Sequence, residues 1–305
     1  MDYLAYDRVH RRVWVPAGNT GSVDVIDVDS DRVTRVEGFP TAAIERNGTR
    51  RVVGPSSATI GDGVVYVGNR GDGSVCTIDA VSLQRGACIR LESAPDGLAY
   101  VAATKEVWAT LPHDRAIAIV GTDTTGMLVQ SGTLRLDGQP EGFAVDDSRR
   151  LFYTNLEDAD RTLTIDVDRR QVIRTRTSGC GAAGPRGLAL DVALDVLFVA
   201  CTDRVVAFNA EADGPPLSAI VVGAGLDNID YVEGRRELYA AAARSATLTN
   251  ARLGADRMLT SVAVRATAAG ARNAVATDDG TAYVTDSAAG AILVLPAPGL
   301  PGTAR

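Results

Sequence analysis

The chain has 305 residues, 46% hydrophobic, 23% charged and 5% aromatic, a composition that excludes disorder, collagen and coiled coil and gives ample length for a buried core. With 31 Lys and Arg against 38 Asp and Glu, the net charge of −7 offers no electrostatic reason to bind nucleic acid or an anionic membrane. No run approaches the ~20 apolar residues of a membrane helix. Met1-Asp2-Tyr3-Leu4 lacks the basic-then-apolar order of a signal peptide, so the expected address is cytoplasmic as given, and secreted or periplasmic if an N-terminal signal has been removed. Four cysteines without a Cys-x-x-Cys pair predict reduced thiols.

One pattern returns seven times along the chain: a short apolar run, a turn, a second run with an aromatic in its middle, and a third run ending near Ile-Asp. The first copy starts near residue 3, has Val13-Trp14-Val15 as its second run, Val23 to Asp27 as its third and Arg32 to Val36 as a fourth. The longest link follows, Gly38 to Pro55, expected to overhang one face as a partial lid; its Asn47-Gly48-Thr49 reads as a turn despite matching the glycosylation sequon. Later copies start near 57, 97, 142, 187, 228 and 273, with second runs Val65-Tyr66-Val67, Val107-Trp108-Ala109, Phe152-Tyr153-Thr154, Leu197-Phe198-Val199, Leu238-Tyr239-Ala240 and Ala282-Tyr283-Val284. Val75 to Asp79 reads as a third strand and Gln171 to Thr175 as a fourth. Anchors at Leu4, Ala58, Leu98, Phe143, Leu188, Ile229 and Ala274 are spaced by 54, 40, 45, 45, 41 and 45 residues. Short Val-, Ile-, Thr- and aromatic-rich runs broken by tight turns are strands, and four strands per ~45 residues is one propeller blade. The expected fold is all-β: one seven-bladed β-propeller domain over 1–305, of four-stranded antiparallel blades. The last blade lacks a fourth strand because a proline-rich tail, 296–305, follows Ile292 to Leu295.

Tyr66-Val67-Gly68-Asn69, Phe152-Tyr153-Thr154-Asn155 and Tyr283-Val284-Thr285-Asp286, with Pro-x-Gly openings at Pro95-Asp96-Gly97, Pro140-Glu141-Gly142 and Pro185-Arg186-Gly187, resemble the YVTN-repeat family of seven-bladed propellers, which includes YncE-like proteins. The match covers nearly the whole chain. It implies that the residue before each first strand opens on the top face of a central channel. Those positions hold Asp2, Ser56, Asp96, Glu141, Arg186, Asp227 and Arg272, followed by Tyr3, Ser57, Gly97, Gly142, Gly187, Asn228 and Asn273. The motifs themselves are structural and carry no activity.

A polar mouth of this composition is expected to receive a small molecule or peptide, with Asp96, Glu141, Arg186, Asp227, Asn228, Arg272 and Asn273 as the binding residues of a monomer. Carboxylates on neighbouring blades repel unless a cation, proton or arginine intervenes, so Asp96, Glu141 and Asp227 are also candidate ligands for Ca²⁺ or Mg²⁺. With such an ion the chain would be a hydrolase or lyase of lactone- or ester-like substrates, resembling lactonase-type propellers. A third alternative is a protein-interaction scaffold. Enzyme activity is left open by the residues.

Candidate catalytic groups are Asp96, Glu141 and His113. His113, in Leu111-Pro112-His113-Asp114, is expected on the top as a solvated loop residue, and His10 on the far face; neither has a His partner for zinc, and histidine-dependent streptogramin-lyase-like chemistry finds little support. Cys180 and Cys201 are expected to approach each other near Arg186. They would form a reactive thiol or redox disulfide only if their Cβ atoms lie ~3.8 Å apart. Cys76 and Cys88 fall on adjacent strands with packing as the default. Phosphate-binding loops, Gly-x-Ser-x-Gly elbows and His-Glu-x-x-His helices are absent.

Overall fold

The computed structural model describes residues 2–46 and 48–299. Asn47 of the sequon and residues 300–305 of the tail lie outside them. The chain is an all-β seven-bladed propeller, with six four-stranded sheets, one of three strands and an additional hairpin. The first sheet is β1 (Ala5–Asp7), β2 (Arg12–Pro16), β3 (Val23–Asp27) and β4 (Val33–Val36), followed by the hairpin β5 (Ala42–Arg46) and β6 (Thr49–Val53). The second is β7 (Pro55–Gly61), β8 (Val64–Asn69), β9 (Ser74–Asp79) and β10 (Arg85–Arg90); the third is β11 (Leu98–Val101), β12 (Glu106–Leu111), β13 (Ala116–Thr122) and β14 (Leu128–Arg135). The fourth is β15 (Pro140–Asp146), β16 (Leu151–Leu156), β17 (Arg161–Asp166) and β18 (Gln171–Thr177); the fifth is β19 (Leu188–Asp191), β20 (Val196–Ala200), β21 (Arg204–Asn209) and β22 (Ser218–Val221). The sixth is β23 (Leu226–Val232), β24 (Glu237–Ala242), β25 (Thr247–Leu253) and β26 (Leu259–Ala266), and the seventh is β27 (Ala274–Ala276), β28 (Ala282–Asp286) and β29 (Ala291–Leu295). Strands in each sheet lie in chain order. The only helical pieces among the described residues are 3-10 turns, and no helix there is long and apolar enough to cross a membrane.

The chain divides into two compact units, one holding residues 1–141, 147–152 and 165–173 and the other 142–146, 153–164 and 174–305, so the division runs through the fourth sheet. In the first unit Trp14, Val25, Ala58, Val67 and Ile78 form the apolar layer between the first and second sheets, and Val75, Leu98, Ala109 and Ala118 that between the second and third. In the second unit Phe198, Ala207, Ile229 and Leu238 fill the space between the fifth and sixth sheets, and Tyr239, Leu248, Ala274 and Val284 that between the sixth and seventh. The recurring aromatic sits in each second strand because that strand is covered on both faces: Trp14, Trp108, Tyr153, Phe198, Tyr239 and Tyr283 are essentially inaccessible.

The Pro-x-Gly openings have a steric cause. Gly142 has φ +67°, and a Cβ there would lie 2.4 Å from the Arg186 carbonyl oxygen and 2.7 Å from Gly187 Cα; a Cβ on Gly187 would lie 2.3 Å from Asn228 Oδ1. First strands of neighbouring sheets converge at these positions and bond main chain to main chain. Gly187 N donates to Asp227 O (2.8 Å) and Asn228 N to Arg272 O (3.4 Å) in the second unit, and Tyr3 N to Ser56 O (3.0 Å) in the first. The motif threonines close the same openings: Thr154 Oγ1 donates to Gly142 O (2.8 Å), and Gly97 N donates to Thr110 Oγ1 (2.8 Å). Asn155 Nδ2 reaches Arg186 O at 2.5 Å.

One expectation is corrected. The cysteines are not reduced thiols: Cys76 bonds Cys88 and Cys180 bonds Cys201. A register shift between Arg85 and Cys88 sets Cys88 directly opposite Cys76, with Cα atoms 4.0 Å apart, a placement that packing alone does not require. The link from Gly38 to Pro55, expected to overhang one face, contains the β5–β6 hairpin. The tail is docked at its start, where Ala297 is buried and Pro296 O accepts from Arg265 Nη1.

Glu237 is a buried carboxylate in the second unit. It accepts from Arg235 Nε (2.9 Å), Arg252 Nη2 (2.6 Å) and Tyr239 Oη (3.0 Å). Burial pushes its carboxyl up, and the hydrogen bonds from Arg235, Arg252 and Tyr239 outweigh that push and hold it below the usual carboxylate range.

Three outcomes are expected. Gly142→Ala should lose about 2–4 kcal/mol in urea unfolding from combined strain and overlap, whereas Gly48→Ala, with open space around it, should lose much less. Disulfide reduction should lower the melting temperature, each crosslink contributing about 3 kcal/mol by loop closure over separations of 12 and 21 residues. The contribution of a depressed carboxyl is complete above its unfolded value and is lost as pH falls through the folded one, so stability measured from about pH 6 to 3 should fall less steeply in Glu237→Gln than in the parent.

Candidate functional site

In the first unit, two of the sequence-derived positions gather around an arginine. Arg70 lies in the β8–β9 turn, its main chain fixed by the bond from Arg70 N to Gly54 O (2.9 Å). Its Nη1 meets Asp2 Oδ2 at 2.5 Å and its Nη2 meets Asp96 Oδ1, so one guanidinium bridges the carboxylates of two buried residues. Asp96 is anchored by the bond from its N to Thr110 O (2.9 Å). Its Oδ2 is buried and has no hydrogen-bond partner, and the same is true of Ser57 Oγ. Glu141 Oε1 accepts from Tyr3 Oη at 3.1 Å. The unpartnered Asp96 Oδ2 is a desolvated acceptor, which favours an incoming hydrogen-bond donor, and a positively charged one over a neutral one.

The second unit treats its charges differently. Arg186 Nη1 pairs with Glu157 Oε2, and Arg272 Nη1 lies 3.3 Å from Asp227 Oδ2. Asn228 Oδ1 accepts from Ile229 N (3.0 Å). Asn273 is buried, and its carbonyl accepts from Thr285 N (3.0 Å). Asp227, the unit-two carboxylate named from the sequence, thus has an arginine beside it, and the Asn228 side chain holds main chain.

Asp96, Glu141 and Asp227 do not form a metal cage: among the described residues no three His, Cys, Asp or Glu side chains lie close enough together to hold an ion. Asp96 is engaged by Arg70 and Asp227 by Arg272. His113 stands away from these groups, its side chain 92% exposed and its Nδ1 3.2 Å from Asp114 Oδ1. Hydrogen bonds from Ser93 and then His113 hold the Asp114 carboxyl below its usual range. His10 is tied to Asp7, Nδ1 to Oδ2 at 2.7 Å. Cys180 and Cys201 do approach each other, with Cα atoms 5.2 Å apart, but as a disulfide, which removes the thiol that Arg186 would have activated.

Sequence reasoning missed Arg70 and Glu157. Arg70 directly follows the Tyr66-Val67-Gly68-Asn69 motif, and Glu157 comes two residues after Asn155 of the fourth copy. Scanning the residues just after each motif asparagine for charges opposite to the collar would have found both.

No family model and no curated protein matches the chain. Solved structures match over nearly its whole length at low identity. Kuenenia stuttgartiensis hydrazine synthase is 15% identical with a TM-score of 0.80, covering 97% of this chain and 95% of that one. The β-propeller domain of Cps50 (Swd1) from Myceliophteria thermophila is 13% identical with a TM-score of 0.77, covering 96% of each. Virginiamycin B lyase from Staphylococcus aureus is 12% identical with a TM-score of 0.71, covering 94% of this chain and 91% of that one. These likenesses establish the fold alone.

Proposed function

We propose that this chain is a monomeric, single-domain binding propeller of the YVTN type, which takes a small molecule or peptide through a positively charged group at Asp2, Asp96 and Glu141. The observation that carries the reading is the sharing of Arg70 by Asp2 and Asp96, with Asp96 Oδ2 left buried and unpartnered. An ammonium or guanidinium group on the ligand offers the donor that Asp96 Oδ2 lacks. The motif residues Thr154, Asn155 and Asn69 support the YVTN assignment by their main-chain contacts. Arg186, Asp227, Asn228, Arg272 and Asn273 act in this reading as the fixed polar frame of the second unit.

The alternative of a Ca²⁺- or Mg²⁺-dependent hydrolase or lyase of lactone- or ester-like substrates draws less support, because its candidate ligands are paired with arginines. For the cellular address, the two disulfides favour a secreted or periplasmic site over the cytoplasm.

Thermal shift and calorimetry with arginine amide, trilysine and succinate, alongside Ca²⁺ and Mg²⁺, test this reading. The cationic probes are expected to raise the melting temperature and succinate to leave it unchanged, and Asp96→Asn is expected to weaken cation binding by about tenfold or more while retaining the fold. Equal binding by Asp96→Asn and the parent, or stoichiometric metal uptake with lactone turnover, would overturn it.

A further inference from the structure

The β5–β6 hairpin is not absorbed by any blade. Its two strands pair only with each other, in the register Ala42↔Val53, Ala43↔Val52, Ile44↔Arg51, Glu45↔Arg50 and Arg46↔Thr49, so both outer edges are unpaired among the described residues. Its base is firmly held. Phe39 N donates to Gly21 O (3.0 Å), Asn69 Nδ2 donates to Pro40 O (3.0 Å), and Arg85 caps the buried Phe39 ring at 4.5 Å. Beyond that base it projects into solvent: Ala43, Ile44, Glu45 and Thr49 to Val52 are all exposed, and only Ala42 and Val53 are half-buried.

Its chemistry is opposite to that of the rest of the chain. Within a protein of net charge −7, residues 42–53 hold three arginines and one glutamate. Some exposed arginines elsewhere have carboxylate partners, as in Arg11 with Asp29, Arg35 with Asp24, Arg135 with Glu92 and Arg150 with Asp168. Among the described residues Arg50 and Arg51 form no ion pair, although Glu45 stands directly opposite Arg50 in the ribbon. Alternation sets Arg50 beside Val52 and opposite Glu45 on one face, and Arg51 beside Val53 and opposite Ile44 on the other, so the second face offers a cation among apolar side chains and the first a cation with a single carboxylate opposite. A two-stranded ribbon is marginal in water on its own and gains from a third strand, and its free edges present unpaired N–H and C=O groups in strand register.

We infer that the hairpin is a docking arm for an extended acidic segment of a partner protein, which adds as a strand to a free edge and sets its carboxylates against Arg50 and Arg51. Main-chain bonds supply the affinity and the arginines select for acidic sequence. This arm is separate from the carboxylates of the proposed ligand site.

The test uses the full chain and a fluorescein-labelled peptide alternating Glu and Val, with a Gln and Val peptide, a Lys and Val peptide and a single-stranded oligonucleotide as comparators. The acidic peptide is expected to bind the parent, weakening as salt rises, and to lose about tenfold or more in the Arg50→Glu, Arg51→Glu double variant, which should gain binding of the Lys and Val peptide. N-methylation of alternate peptide nitrogens should abolish binding, as strand addition requires. Both arginines are exposed, so an unchanged melting temperature is expected to accompany the loss, and Asp96→Asn should bind the acidic peptide as the parent does. Absence of acidic-peptide binding by the parent, unaltered binding by the charge-reversed variant, insensitivity to N-methylation, or tighter binding of the oligonucleotide through the same arginines would each overturn the proposal.

Discussion

Where first strands of neighbouring sheets converge, main chain meets main chain with no space for a Cβ. Gly142 against Arg186 and Gly187, and Gly187 against Asn228, embody this contact within the second unit. Because backbone donors and acceptors there satisfy one another, as Gly187 does with Asp227 and Asn228 with Arg272, the charged side chains at these positions are not needed to close the main-chain ladder. They are also fixed in place by it. A set of polar residues held by strand packing is a preorganised surface, and its chemistry can change by substitution without disturbing what positions it.

The two units use that freedom differently. In the second, Glu157 pairs with Arg186 and Asp227 with Arg272. In the first, Asp2 and Asp96 divide a single guanidinium while Glu141 receives a neutral phenol from Tyr3. A buried carboxylate with one oxygen unsatisfied carries a desolvation cost that the fold alone gives no reason to bear. Selection for a ligand is a physical reason to keep it.

The blades were legible because their signal is repeated and local. An aromatic in each second strand, buried on both faces, marks every copy, and Val23–Asp27 was readable to the residue. The three-stranded last sheet was legible from Pro296. What was not legible depended on geometry between segments. The Cys76–Cys88 bond follows from a register shift that no local pattern encodes. The β5–β6 strands are polar and solvated, so they lack the alternation that marks a half-buried strand. Among the candidate site residues, Asp96 and Glu141 could be named from the sequence because the repeat aligns them with the collar. Arg70 and Glu157 escaped because they sit in turns whose residues the repeat does not constrain.

The three-stranded last sheet also bears on how the molecule behaves in a crowded solution. Among the described residues β29 forms an outer edge, and its sequence, Ala-Ile-Leu-Val-Leu, has no charge to deter another strand from joining it. The six outer strands of the other sheets include arginines in β4, β10, β14, β18 and β26. On β29 the corresponding protection comes from covalent structure, since Pro296 and Pro298 follow at once and cannot extend a ladder, while Arg265 holds the Pro296 carbonyl. The short prolyl stop thus works as a gatekeeper, limiting the sticky edge to five residues and separating self-association from folding.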